Sequence, residues 1–163
     1  AFHSVVLLMD GTVWTCGSNS KGQLGVPEKF GVWGGATWSL QNVFTTWDVV
    51  DRATADDVIS IAAGGRHTLV QTVDKVLWGF GSNYYGQLAL WDSVGSSFHK
   101  PTRLGRDLEE NSLRADPFHV VGNVESFQAG KDFSMVVDGD QQVWLFGSNR
   151  FGQLMRQENA GSW

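Results

Sequence analysis

The chain has little that would staple it, anchor it in a bilayer or give it a strongly basic character. A single cysteine, Cys16, cannot form an intrachain disulfide, and that scarcity points to a reducing compartment rather than to a secreted, cross-linked scaffold. No apolar stretch approaches the roughly 18 residues that a membrane helix needs. The expectation is therefore an intracellular, soluble chain without membrane insertion, its compartment left open. Cations are outnumbered, 12 Lys and Arg against 17 Asp and Glu, for a net charge of −5. They also form no run. A protein that grips a phosphate backbone needs a basic face, so direct nucleic-acid binding is not expected, although a local patch stays open.

Glycine and tryptophan are plentiful instead, 20 and 8 residues against three prolines. Glycines spread through a chain that is 42% hydrophobic and 18% charged indicate many tight turns between short strands around a packed core. Internal repetition turns this into a fold. Trp14, Trp78 and Trp144 each open the pattern Trp-x-x-Gly-Ser-Asn-x-x-Gly-Gln-Leu, and they stand 64 and 66 residues apart. The shared positions include Gly17, Asn19, Gly22 and Gln23 in the first copy. They are Gly81, Asn83, Gly86 and Gln87 in the second, and Gly147, Asn149, Gly152 and Gln153 in the third. Upstream, His3-Ser4, His67-Thr68 and Phe133-Ser134 align, as do Asp10, Asp74 and Asp140, and Gly64 aligns with Gly130.

Each repeat reads as three short antiparallel strands followed by a compact reversal. In the second copy a strand over Val58–Ala63 runs into Gly64 and a second covers about His67–Val73. A turn at Asp74-Lys75 leads to a third over Val76–Phe80. Asp10-Gly11 at the same turn of the first copy is a favoured hairpin pair. In the reversal, glycine permits φ > 0 and the Asn and Gln amides can satisfy turn backbone groups. Hairpins recurring at a long fixed period indicate an all-β protein of propeller blades, each a four-stranded antiparallel sheet.

The block Ala62-Ala63-Gly64-Gly65-Arg66-His67-Thr68, continued through Trp78-Gly79-Phe80-Gly81-Ser82-Asn83 to Gly86-Gln87-Leu88, resembles the repeat of the regulator of chromosome condensation family. The resemblance covers 1–24, 58–88 and 124–154 and implies a β-propeller, since seven such repeats usually close a ring in that family. Departures are Phe133 for His, Gln141 and Lys75 for the turn Gly, and Ala89 where Gly often follows Leu. The whole chain, 1–163, is thus expected to be one partial propeller of about two and a half repeats. It begins in mid-repeat and is too short for the usual ring of about 4–8 blades. An arc of two to three blades from a longer protein is expected, with strand edges or apolar faces at its ends.

The variable inserts, 25–57 and 89–123, are where specific function is expected, because shared positions build a repeat scaffold and unshared ones occupy its rims or edges. The first holds Trp33, Trp38 and Trp47, which either pack on a blade or anchor a partner. Its Gly31–Gly35 stretch reads as a loop, with Asn42-Val43-Phe44 and Asp48-Val49-Val50 as candidates for an outer strand. The second holds Arg103 and Arg106, candidates for an interaction patch or simply a solvated face, and a Leu104/Leu108 spacing that fits one helical turn.

No catalytic, metal-binding or cofactor-binding constellation emerges. His3 and His67 sit beside hydroxyl residues, but they recur with the repeat, which points to structural imidazoles bonded to neighbouring backbone. Asp138-Gly139-Asp140 lacks the further acidic ligands of a calcium loop, and Asp140 reads as the repeated turn aspartate. Cys16, aligned with Phe80 and Phe146, is expected to be buried, and the three repeat tryptophans to fill the gaps between blades. The leading expectation is a non-catalytic protein–protein interaction scaffold, a subunit or domain of a larger assembly. The resemblance also implies a guanine-nucleotide exchange factor for a small GTPase, the activity of the family's founding member. A third reading is the substrate-targeting part of a ubiquitin ligase.

Overall fold

The computed structural model describes residues 2–26, 36–43, 58–90, 93–104 and 123–155. Among the described residues, ten strands form three antiparallel sheets and no α-helix occurs. The first blade contains β1 (His3–Leu7), β2 (Val13–Ser18) and β3 (Ala36–Asn42), in that order across the sheet. The second contains β4 (Val58–Ala63), β5 (His67–Thr72), β6 (Leu77–Ser82) and β7 (Ser97–Arg103). In the third, β8 (Val124–Ala129), β9 (Phe133–Asp138) and β10 (Val143–Gly147) follow one another. This is the architecture of consecutive propeller blades; four strands are described in the middle one and three in each neighbour.

Register repeats from blade to blade. His3 faces Gly17, His67 faces Gly81 and Phe133 faces Gly147 across the central hairpin. These glycines have φ of 107°, 106° and 113°, and a Cβ at Gly81 would lie 2.5 Å from the Arg66 carbonyl oxygen. The bare backbone lets Ser18, Ser82 and Ser148 donate their N–H groups to the carbonyls of Phe2, Arg66 and Asp132. The backbone then turns away from the ladder into the Asn-x-x-Gly reversal.

Two apolar cores lie between the blades. One joins Val5, Leu7, Val13 and Val43 of the first blade to Val58, Ile61, Val70, Val76, Trp78 and Phe80 of the second. The other joins Leu69, Leu77, Leu88 and Leu104 of the second blade to Val124, Phe127, Val136, Phe146 and the half-buried Trp144 of the third. Trp78 and Trp144 thus reach back toward the preceding blade, and their large rings fill the seam. Trp14 is half-buried and donates its indole N–H to Thr12 Oγ1 at 3.0 Å.

Several local expectations change. The outer strand of the first blade is Ala36–Asn42, meeting the expected segments only at Asn42; Val43 follows it and packs into the seam. Residues 99–103 belong to the outer strand β7, where Phe98 pairs with Gly81 and Arg103 with Trp78. Leu104 is fully buried at its end, while Leu108 lies outside the described residues. Cys16 is half-buried, whereas Phe80 and Phe146 are buried. Phe80 and Phe146 each pack into the seam with the blade before their own. In the third blade the turn is held by Asp138, not Asp140. Asp138 accepts from the Asp140 and Gln142 amides and from the Trp144 indole at 2.7 Å, while Asp140 is exposed.

Candidate interaction surface

The repeated polar residues are committed to two tasks, closing turns and joining blades. In each reversal the Asn side chain accepts the Leu amide five residues on: Asn19 to Leu24 at 3.0 Å, Asn83 to Leu88 and Asn149 to Leu154 at 2.9 Å. The Gln side chain accepts from the amide two residues before it. Lys21 donates to Gln23 at 2.8 Å, Tyr85 to Gln87 at 2.9 Å and Phe151 to Gln153 at 2.8 Å. The amides of Gly22, Gly86 and Gly152 close onto the carbonyls of Asn19, Asn83 and Asn149. The two residues between Asn and Gly join this bonding through their backbone amides and leave their side chains out of it.

The histidines join blades rather than bonding their own backbone. His3 Nε2 meets Thr68 Oγ1 at 2.9 Å, and Thr68 donates to the Gln23 carbonyl at 2.8 Å. His67 Nε2 meets Ser134 Oγ at 2.9 Å, and Ser134 donates to the Gln87 carbonyl at 2.8 Å. A carbonyl only accepts, so the hydroxyl proton is used there and Nε2 must carry the imidazole proton. Nδ1 is then an unprotonated acceptor, buried in both residues without a partner among the described residues. Burial holds both histidines at a pKa of about 4, so both are neutral at pH 7. Gly64 makes room for the His67 ring, which lies 2.5 Å at Nδ1 from where a Cβ would stand; Gly130 does the same beneath the Phe133 ring.

At the opposite strand ends other bonds tie the second seam. Gln71 Nε2 donates to the Val124 carbonyl at 2.6 Å, and Lys75 pairs with Glu125 across the blades. Asp10 and Asp138 accept turn hydrogen bonds, from Thr12 and foremost from Trp144 respectively, and these hold their carboxyls below the usual range.

The blades therefore present two rims. One carries the Asn-x-x-Gly turns with the loops at Phe2, Arg66 and Lys131-Asp132. The other carries the hairpin tips at Met9-Asp10, Asp74-Lys75 and Asp140-Gln141. Among the sequence candidates for partner contact, Arg103 is exposed at the end of β7. Trp38 lies on β3, and Trp33, Trp47 and Arg106 fall outside the described residues. The first rim does not include Arg103. Its exposed aromatic and basic residues were missed because each sits in a shared turn or loop rather than in an insert. The available signal was the pair of non-repeating residues inside each Asn-x-x-Gly turn.

Comparison with known proteins gives a consistent picture. The sequence profile of the regulator of chromosome condensation (RCC1) repeat matches residues 1–23 and 58–87. The chain is 31% identical over 153 residues to the probable E3 ubiquitin-protein ligase HERC6 of Homo sapiens, an alignment covering 94% of this chain and 13% of that protein. It is 26% identical over 154 residues to protein RCC2 of Homo sapiens, covering 94% and 24%. It is 29% identical over 159 residues to the secretion-regulating guanine nucleotide exchange factor of Bos taurus, covering 94% and 29%. The chain thus spans less than a third of the length of these relatives. Among solved structures, human WBSCR16 superposes with a TM-score of 0.63 at 26% identity, over 89% of this chain and 30% of that one. Yeast RCC1 (Prp20), in its crystal structure with Kap60, gives 0.61 at 21% identity over 90% and 30%.

Proposed function

We propose that this chain, which carries two matches to the regulator of chromosome condensation repeat within a row of propeller blades, serves as a non-catalytic protein–protein interaction scaffold within a larger assembly. One observation carries this reading. The amides, imidazoles and hydroxyls shared by the repeats are spent inside turns and seams, while residues that differ between copies stand exposed at the tips. Tyr84 and Tyr85 in the second turn correspond to Ser20 and Lys21 in the first and to Arg150 and Phe151 in the third. All six are exposed except the half-buried Lys21, and a constant frame with variable tips suits recognition, in which each turn contributes a different contact. The exposed Arg103, together with Trp33, Trp38, Trp47 and Arg106, are further proposed contacts of the same scaffold. Partners on this reading are other proteins.

The test is cross-linking of the full-length protein at native abundance followed by mass spectrometry. A stoichiometric protein partner linked to the exposed tips or to the inserts is the expected result. A protein that migrates alone at native abundance would overturn the reading.

A second reading, guanine-nucleotide exchange on a small GTPase, is supported by the relative whose name carries that activity. Exchange asks for a rim surface that displaces nucleotide, not for a catalytic constellation. Nucleotide release from a panel of small GTPases tests it, and no acceleration by the full-length protein ends it. A ubiquitin-ligase targeting role, prompted by the relatives named as probable ligases, would need a catalytic domain outside these 163 residues.

A further inference from the structure

The rim that carries the Asn-x-x-Gly turns differs in charge from the chain as a whole. Lys21 lies in the first turn, Arg66 beside the base of the second, Lys131 in the adjoining loop of the third blade, and Arg150 in the third turn. Asp132 is the one carboxylate among the described residues of that rim, and none of the four cations is ion-paired among them. Neighbouring blades hold these groups together: the Gly65 amide donates to the carbonyls of Gly130 and Lys131, and Ser82 donates to that of Arg66. At the opposite rim stand Asp10, Asp74 and Asp140, with Lys75 already paired to Glu125. Among the described residues the charges are therefore polarised, basic at one end of the strands and acidic at the other, where Arg103 and Lys75 stand among the carboxylates.

The basic rim is also aromatic. Tyr84 is 61% exposed and Phe151 is 85% exposed. Tyr85 meets Tyr84 edge to face, ring centroids 5.0 Å apart at 83°, and the Arg150 guanidinium lies 5.6 Å from the Phe151 ring centroid. Tyr and Arg are, with Trp, enriched among the anchors of protein interfaces: Tyr buries a large rigid ring with a polar handle, and Arg brings a planar charged fork.

We propose that this rim, centred on Tyr84, Tyr85, Arg66, Lys131, Arg150 and Phe151, docks an acidic segment of a partner protein that also carries apolar side chains. The inference rests on the scaffold reading and adds the surface and the chemistry of the partner. Charge complementarity selects an acidic occupant, and the exposed rings require apolar side chains between its carboxylates. A nucleic acid fits less well. Four cations offer few phosphate contacts, and perpendicular tyrosines do not present a parallel pair of faces to successive bases.

The experiment uses the full-length protein and three fluorescent probes: a peptide of alternating glutamate and leucine, its lysine–leucine counterpart, and oligo-deoxythymidine. Binding of the acidic peptide alone is expected, weakening as salt is raised. The combined Arg66→Glu, Lys131→Glu and Arg150→Glu variant should abolish it. Tyr84→Ala with Phe151→Ala should weaken it about tenfold or more. Asp10→Lys with Asp74→Lys, on the opposite rim, should leave it intact. Equal or stronger binding of the oligonucleotide would overturn the proposal in favour of nucleic acid. Salt-sensitive self-association seen by ultracentrifugation, lost in the rim variants, would overturn it in favour of a second copy stacking acidic rim on basic. Failure of the acidic peptide to bind, or binding that survives the rim substitutions, overturns it outright. The cross-linking experiment then separates the two levels. A native partner that stays linked to the rim variants leaves the scaffold standing and removes this surface from it.

Discussion

The middle blade and its neighbours are written in nearly the same sequence but are buried differently. Every residue of β5 and of β6 is buried. The equivalent β1 alternates with exposed positions, and β9 alternates with half-buried ones. Phe80 is fully buried and its equivalent Cys16 is half-buried. The difference lies in the neighbours. The middle blade has a described blade on each side and each outer blade has one. In such an architecture the repeat's own pattern decides which residues form strands, and the adjoining repeat decides which of them form core.

This contrast can be broken most forcefully at its centre. Phe80→Ala should destabilise the protein by about 3–5 kcal/mol, the range for deleting a large buried ring, whereas Cys16→Ala should cost about 1 kcal/mol or less. Denaturant midpoints of the two variants measure it, and equal losses would mean that the first blade is packed as tightly as the second.

Next in size is pH. His3 and His67 titrate at about 4 when folded against 6.5 when free, so the unfolded chain binds more protons between those values. Stability from these residues is fully present above pH 6.5 and is lost as pH falls toward 4, at up to about 1.4 kcal/mol per pH unit for each. His67→Phe, copying Phe133 of the third repeat, should remove its share of that slope. A thermal-unfolding profile unchanged by the substitution contradicts the assignment.

The smallest effect concerns backbone strain. Ala89 has φ of 53° where its equivalent in the first repeat is Gly25 at 65°. Ala89→Gly should stabilise by at most about 0.5 kcal/mol, because relief of about 1–2 kcal/mol of left-handed strain is offset by glycine's greater unfolded freedom and by loss of a methyl buried in the second seam. Gly25→Ala should do the reverse and more, because its Cβ would lie 2.8 Å from the Phe80 ring.

The repeat made the fold legible. Three copies of one motif marked the blades, and β4 runs over Val58–Ala63 as the pattern predicts. The outer strands were not readable, because Ala36–Asn42 and Ser97–Arg103 share only their place beside β2 and β6, not a sequence. The partners of the histidines were hidden by distance. His3 stands beside Ser4 in sequence but bonds Thr68, 65 residues on, and the aligned hydroxyls at Thr68 and Ser134 were the trace of that bond. The basic rim was invisible to a search for charge runs because its cations come one at a time from separate segments.

The histidine seam also changes what counts as a part of this molecule. Each seam is written half in one repeat and half in the next: imidazole and turn carbonyl from one blade, hydroxyl from its successor. Cutting the chain into its visible sequence periods would split that trio, stranding a buried imidazole N–H on one piece and a hydroxyl on the other. The transplantable unit is therefore the junction, with the two blade faces that meet there. A graft that moves His67 and Gln87 together with Ser134 keeps its fit, and a graft of one tidy repeat leaves a mismatched joint on each side.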